Sequence, residues 1–463
     1  MIIRPRIDVV PPERAGLFVV RPAWVLAAFA AALALPQTAV IAGVGGALTP
    51  ARLVAGAVLA WWLLARFTGG LGMRTARNRV RGALLLFGLL LALSHAIAAA
   101  SGFPDELVAA SDRQIVLFLL AGGVLLLACD GIDDLAGVRI VLGSLVLGVA
   151  LSAGIAIVHF GLGIDLRASM LLPGLEMQGL WDADLARGGL LRSMGLANHP
   201  IELAGLCVLA LPSALYLSWY ARHRWLWWCC CVLLVLGALT TISRTALLGI
   251  AVVVVLLLPR LGVLRWTALL TALVGLLATA ALFWPRLGEV LGRTVLGSPA
   301  DDSVRARLND YAYVASRWAE GPIGGQGFGT YVAPPQPYLD NQYLLTLVES
   351  GLPGLLGLVG LLGAAVATSI QIARREPSAR RGGSTVPPGL EAHPRRGAAG
   401  EINAAGWAMA VSTIVGGFCL GTFDALAFPQ FLGFLFLLIG VAGALIALRE
   451  EPTSMTGELT GAR

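Results

Sequence analysis

Lysine is missing from this chain: all 33 basic residues are arginine. The choice of Arg over Lys, elsewhere a hint of bidentate anion recognition, therefore carries no information at any single position. Charge is scarce as well. Only 13% of the 463 residues are charged, against roughly 25% in soluble domains, while 57% are hydrophobic and the mean hydropathy is +0.80. An ordinary water-soluble protein is excluded. So is a single anchor bearing a soluble catalytic domain, because apolar runs recur along the whole length. The six cysteines, Cys129, Cys207, Cys229, Cys230, Cys231 and Cys419, have neither CxxC spacing nor a histidine in metal-ligand register, and read as small apolar side chains. No internal repeat suggests the paired halves of a transporter.

The apolar runs fall at 22–42, 53–67, 83–100, 115–128, 138–160, 198–220, 225–242, 245–258, 266–284, 342–372, 404–422 and 428–448. They predict an all-α polytopic membrane protein with about 12 transmembrane helices. Roughly two thirds of the arginines fall in 4–21, 66–81, 139, 222–224, 260–265, 374–396 and 449–463, on one side of that arrangement. The positive-inside rule makes that side cytoplasmic and puts both termini there. The chain then divides into a five-helix membrane region (1–160), a region with two long outer loops at 161–197 and 285–341 (161–372), a basic cytoplasmic loop (373–403), two final helices (404–448) and a tail that reads as disordered (449–463). The second outer loop predicts a helix over 303–319 with Tyr311, Val314, Ala315 and Trp318 on one face. A turn-rich return follows at 321–329, Gly-Pro-Ile-Gly-Gly-Gln-Gly-Phe-Gly, whose backbone is open to close approach by a ligand.

Ionisable residues near membrane depth cost about 2.5–3.5 kcal/mol each on insertion scales, so their positions are informative. Arg244 lies in Thr-Ile-Ser-Arg-Thr (241–245), between two apolar runs with no room for a loop; snorkelling to the headgroups would also account for it. Arg192 opens a segment that runs through Asn198, His199 and Pro200 to Glu202, where helical spacing brings Asn198 and His199 close to Glu202. A capping cluster is the structural alternative. Arg305 and Arg307 follow Asp301 and Asp302, and read alone as a solvated helix face. Asp340 and Asn341 precede a membrane helix on which Gln342 and Glu349 share a face, and Asp340 could be only a cap. Together the pattern is more informative: Arg192, Arg244, Arg307 and Asp340 all fall at the outer boundary. Fixed positive charges beside a carboxylate suit a substrate with an anionic leaving group and an acceptor that needs a base. Asp182-Ala-Asp184, an acidic pair in an outer loop, reads as a loop coincidence, with no metal assigned.

Three segments resemble the O-antigen ligase and polymerase superfamily of bacterial membrane enzymes. They are Arg192 to Ala204, with Arg-x-x-Gly before a Pro-containing helix start; Ser243-Arg-Thr245; and Arg307 through Gly329 into Asp340-Asn-Gln-Tyr-Leu and Glu349-Ser-Gly-Leu-Pro-Gly. The similarity covers about 161–362. It implies a type C glycosyltransferase in the bacterial cytoplasmic (inner) membrane, with 161–372 as its catalytic region. The implied reaction is metal-independent and inverting, uses no cofactor, and transfers oligosaccharide from undecaprenyl pyrophosphate to a glycan acceptor outside the cytoplasm. Ligases of the family place His where this chain has Asp340, so a polysaccharide polymerase is the closer expectation, with ligation to a lipid or protein as the alternative. By that resemblance Arg244 and Arg307 bind pyrophosphate, Arg192 assists, and Asp340 or His199 acts on the acceptor; Arg305, Asn341, Glu202 and Glu349 are expected to bind substrate as well. A twelve-helix transporter of lipid-linked glycan and a noncatalytic scaffold are the readings from other classes. Nucleic acid is not an expected partner.

Overall fold

The computed structural model describes residues 20–43, 48–68, 77–177, 186–187, 189–257, 260–295, 302–374 and 397–450. The elements in chain order are α1 (Pro22–Leu33), β1 (Ala39–Ile41), α2 (Pro50–Thr68), α3 (Arg79–Ala100), α4 (Asp105–Gly131), α5 (Leu135–Leu162), β2 (Leu175–Met177), β3 (Ala186–Arg187), β4 (Leu190–Leu191), α6 (Pro200–Tyr220), α7 (Arg224–Thr240), α8 (Arg244–Leu257), α9 (Val263–Phe283), α10 (Pro285–Val295), α11 (Asp302–Glu320), α12 (Gln342–Arg374), α13 (Ala398–Leu420) and α14 (Pro429–Glu450). Among the described residues, nine helices are long and apolar enough to cross a membrane; α1, α7 and α8 are shorter apolar helices. Every apolar run of the sequence has its helix.

Local chemistry sets the boundaries. Asn78 caps α3 by accepting from the Val80 and Arg81 amides, and Asp134 caps α5 by accepting from Gly137, so each satisfies donors that a helix start leaves unpaired. α5 stops at Gly163, whose φ of 69° suits the left-handed C-terminal turn.

The centre of the bundle is α6, buried along nearly its whole length, with α5, α7, α13 and α14 around it. Glycines let neighbouring backbones approach: a Cβ at Gly237 of α7 would overlap Ala153 of α5, and one at Gly440 of α14 would overlap Ala128 of α4. That is how membrane helices associate when lipid tails are as apolar as their side chains. α9 is peripheral, with Ala280 as its buried residue.

The fold is all-α as expected, and the long connections, which gather at one end of the bundle, add two short ribbons to it. β1 pairs antiparallel with β2, Val40 opposite Glu176, and β3 pairs with β4. α10 is a helix that the apolar pattern did not reveal, because it is amphipathic and not continuously apolar. Its Leu287 and Val290 pack in a cluster with Leu239, Ile242 and Ala280. α11 forms where expected, but its buried residue is Val314, with Tyr313 and Trp318 half-buried, while Tyr311 and Ala315 are exposed.

α12 is broken at Gly351 (φ 63°, ψ −170°), two residues before Pro353. The glycine-rich return mends the break. Gln326 and Gly327 amides donate to the Val348 and Glu349 carbonyls at 2.9 and 2.8 Å, Ser94 Oγ donates to the Glu349 carbonyl at 3.0 Å, and the Leu352 amide donates to Pro322 O at 3.0 Å. A Cβ at Gly325 would overlap the Glu349 carbonyl, and one at Gly351 would overlap that of Ile323. The expectation of an open backbone cradle at 321–329 is therefore corrected: these glycines are needed for contact with α12, whose freed backbone groups must find partners at membrane depth.

Candidate functional site

Arg192 and Arg244 are joined through backbone. Arg192 Nε donates to Thr241 O at 2.9 Å, and the Ser193 amide donates to Thr240 O at 3.2 Å, so the loop before α6 is stitched to the turn between α7 and α8. Gly195 (φ 56°) lets that loop lie on α5: a Cβ there would overlap the Ser152 carbonyl, and the neighbouring Leu196 amide donates to Ser152 Oγ at 2.9 Å. In the turn itself Ile242 has φ 47°, a conformation that costs a β-branched residue about 1–3 kcal/mol. Its side chain is fully buried against Leu239 and Leu287, which offsets that cost. The turn delivers Arg244 to the first position of α8.

These two arginines open onto a cavity of about 470 Å³ at the loop-bearing end, shared with His199, Asp340, Asp424 and Tyr338. Its lining comes from the loop before α6, the α7–α8 turn, the approach to α12 and the α13–α14 connection. The volume lies within the usual range of small-molecule sites, roughly 300–1,000 Å³. Four of the residues expected from the sequence are thus brought together: Arg192, Arg244, His199 and Asp340. Asp424 was missed, although it is the only acidic residue between Glu401 and Glu450. It sits in the short connection after α13, and that isolation was the available signal.

The roles of the acidic and imidazole groups separate on geometry. Asn341, not Asp340, caps α12: Asn341 Oδ1 accepts from the Tyr343 and Leu344 amides at 2.9 and 3.3 Å. Asp340 is left exposed on the cavity. Asp424 is half-buried, and burial, with the Asp340 carboxylate adding to it, pushes its carboxyl up to about 7, against the pull of its own backbone amide. His199 caps α6, its Nδ1 accepting from the Ile201 amide at 3.1 Å. Burial, reinforced by Arg192, lowers its imidazole to about 4. At neutral pH the ring is uncharged, Nδ1 is engaged and the proton sits on Nε2. With Nδ1 engaged, Nε2 is the ring atom left to donate a hydrogen bond into the cavity.

The remaining expected residues lie elsewhere. Glu202 is fully buried; Oε2 accepts from the Asn198 amide at 2.9 Å, and Oε1 from the Gln430 and Phe431 amides at 3.2 and 3.4 Å. It ties the start of α6 to the first turn of α14 and is not among the residues that line the cavity. Glu349 is buried at the break of α12, where Oε1 accepts from the Tyr331 amide at 3.3 Å, and it lines a second cavity. The side chains of Arg305 and Arg307, on α11, lie outside the described residues, as do Asp182 and Asp184.

A family model described as O-antigen ligase matches residues 229–359. The matched span holds Arg244, Asp340 and the broken part of α12, while Arg192, His199 and Asp424 flank it. No curated protein matches the chain. With its many apolar helices, the match indicates a multi-pass bacterial membrane protein and a glycosyltransferase-like enzyme acting on a lipid-linked glycan. Over residues 229–359 the chain is similar to the O-antigen ligase family, which supports its resemblance to the O-antigen ligase and polymerase superfamily.

Proposed function

We propose that the chain is a surface-polysaccharide polymerase which extends a glycan carried on undecaprenyl pyrophosphate, at the face of the cytoplasmic membrane turned away from the cytoplasm. The observation that carries the reading is the single cavity lined by Arg192, Arg244, Asp340 and Asp424 from four separate segments. In the reaction an acceptor hydroxyl attacks the anomeric carbon of the donor's reducing-end sugar from the face opposite the pyrophosphate. The new C–O bond forms as the old one breaks, and pyrophosphate departs with the bonding electron pair, still attached to its polyprenyl chain. The hydroxyl proton passes to Asp424. The anomeric configuration is inverted.

Each group has a physical reason for its role. Pyrophosphate is already a good leaving group, so its departure needs charge stabilisation more than a proton, and guanidinium groups fixed at the cavity wall supply it. A base works best with a pKa near the operating pH, and Asp424, pushed up to about 7, meets that condition better than an ordinary carboxylate near 3.9. His199 donates from Nε2 to a donor or acceptor oxygen. Asp340 raises Asp424 and orients the acceptor.

The carboxylates buried among the helices favour an enzyme over a transporter. Asp130 is held by Arg81 Nη1 at 2.8 Å and Trp62 Nε1 at 3.0 Å, and Glu202 by backbone amides. Each is a local cross-link, whereas a translocation pathway needs ionisable groups facing a route through the bilayer. Ligation to a lipid or protein acceptor would use the same cavity chemistry. The test is reconstitution of the purified chain with undecaprenyl-pyrophosphate-linked repeat units: polymer formed without any energy source upholds the proposal. Transfer of a single unit to a lipid or protein identifies a ligase, and movement of units across the bilayer without a new glycosidic bond overturns the enzyme reading.

A further inference from the structure

A second cavity, of about 270 Å³, adjoins the first. Asp424 and Tyr338 line both, so they form the wall between them. Its floor is apolar, made by Phe87, Leu91 and Phe118, and its rim carries Arg113 and Gln114 of α4 and Tyr331, just past the glycine-rich return. Two buried residues facing it, Gln342 and Glu349, are already engaged: Gln342 Oε1 accepts from the Leu426 amide at 3.0 Å, its Nε2 donates to Thr346 at 3.2 Å, and Glu349 accepts from Tyr331. Arg113 and Gln114 are not. Among the described residues neither side chain has a hydrogen-bond partner, and both sit at the rim of the cavity.

We infer that this second cavity is the acceptor subsite and that it takes the non-reducing terminal saccharide of the acceptor glycan. The inference rests on the proposed function, since it supplies the nucleophile for the reaction described above. An apolar floor under a polar rim matches a pyranose, which has a C–H face and an edge of hydroxyls. A polyprenyl chain in the same space would give the guanidinium and amide groups of the rim no hydrogen-bond partner, whereas sugar hydroxyls pair with both. Two tyrosines, Tyr331 and Tyr338, line the cavity, and Tyr338, largely exposed, offers its ring to a sugar on either side of the wall. The shared Asp424 gives the arrangement its chemical sense. A donor held by Arg192 and Arg244 and an acceptor held by Arg113 and Gln114 approach one carboxylate from opposite sides, so the base lies where the proton is released.

The test uses two forms of one glycan. Lipid-linked repeat units serve as donor; the same oligosaccharide, released from its pyrophosphate by mild acid, keeps its non-reducing hydroxyls but has no leaving group, so it serves only as acceptor. With the full chain in proteoliposomes, Arg113→Ala and Gln114→Ala should each raise the KM for released oligosaccharide roughly tenfold, the worth of about 1.4 kcal/mol of hydrogen bonding, while Arg113→Lys restores part of the loss. Arg244→Ala should weaken donor binding and leave binding of the released oligosaccharide intact. Saturation-transfer NMR of the released oligosaccharide reports binding directly, including for a variant with no turnover. An unchanged acceptor KM in both α4 variants, or a rise in donor KM instead, overturns the inference. So does wild-type protein that neither binds nor extends the released oligosaccharide, even where extension of the lipid-linked form upholds the parent reading; failure of the wild type to form any glycosidic bond refutes that reading itself.

Discussion

Replacing Asp424 by Asn keeps its shape and removes its ionisation. In the wild-type protein the carboxyl is pushed up to about 7 by burial and by Asp340, so as pH rises through that value the fraction able to accept a proton grows tenfold per unit and then levels. The rate of polymer formation should follow, with a slope of one below about pH 7 and a plateau above it. Asp424→Asn should lose the limb and fall roughly a hundredfold to ten-thousandfold, the usual contribution of a positioned base. Asp340→Asn removes a neighbouring negative charge, so the limb should move to lower pH, by less than burial alone contributes. Stability gives an independent reading. Over about pH 4–7 the folded chain holds a proton that the unfolded chain has released, so stability falls as pH rises across that window. Three units at about 1.4 kcal/mol each set an upper bound of about 4 kcal/mol. Asp424→Asn abolishes the fall and should raise the melting temperature at pH 8 but not at pH 4. The assay is initial rate with lipid-linked repeat units in proteoliposomes between pH 5 and 9, beside thermal unfolding of the same preparations. A limb near pH 7 that survives in Asp424→Asn would refute the assignment of the base.

Other outcomes follow from the same geometry. Arg192→Ala and Arg244→Ala should each cost about a hundredfold to a thousandfold in rate, as expected for one preorganised donor at a developing charge, with unchanged amounts of protein in the membrane; polymer of normal yield from either variant removes that arginine from the mechanism. His199→Asn keeps a side chain that can cap α6 and donate a hydrogen bond, so activity should stay within about tenfold, whereas loss of a general base would cost far more. Glu202→Ala should lower stability by several kcal/mol, since it strands the Gln430 and Phe431 amides, and Glu202→Gln should recover much of it in a thermal assay. Gly325→Ala should reduce folded protein in the membrane, because its Cβ would overlap the Glu349 carbonyl; wild-type levels would show that the return does not splint α12.

Much of the architecture is written in hydropathy, because a spanning helix needs a long apolar run and little else. The expected runs at 198–220 and 342–372 reappear as α6 and α12 nearly residue for residue. α10 escaped because its apolar residues are spaced for one face only, and β1 and β2 because their pairing joins loops far apart in sequence. At the site, Arg192, Arg244 and Asp340 were legible as charges at helix ends on one side of the bundle. Asp424 was not singled out, since a lone Asp in a short connection looks like any surface residue until the fold sets it beside Asp340. Asn198, His199 and Glu202 divide between the two readings their spacing allowed. His199 caps α6 and also lines the cavity, while Glu202 accepts from the Asn198 amide and from amides of α14, a tie that no local pattern could reveal.

The most direct test is a structure of the chain with undecaprenyl-pyrophosphate-linked oligosaccharide bound. The account predicts the diphosphate within hydrogen-bonding distance of both Arg192 and Arg244, with the anomeric carbon of its first sugar turned towards Asp424. A diphosphate held elsewhere, with neither arginine touching it, would contradict the account.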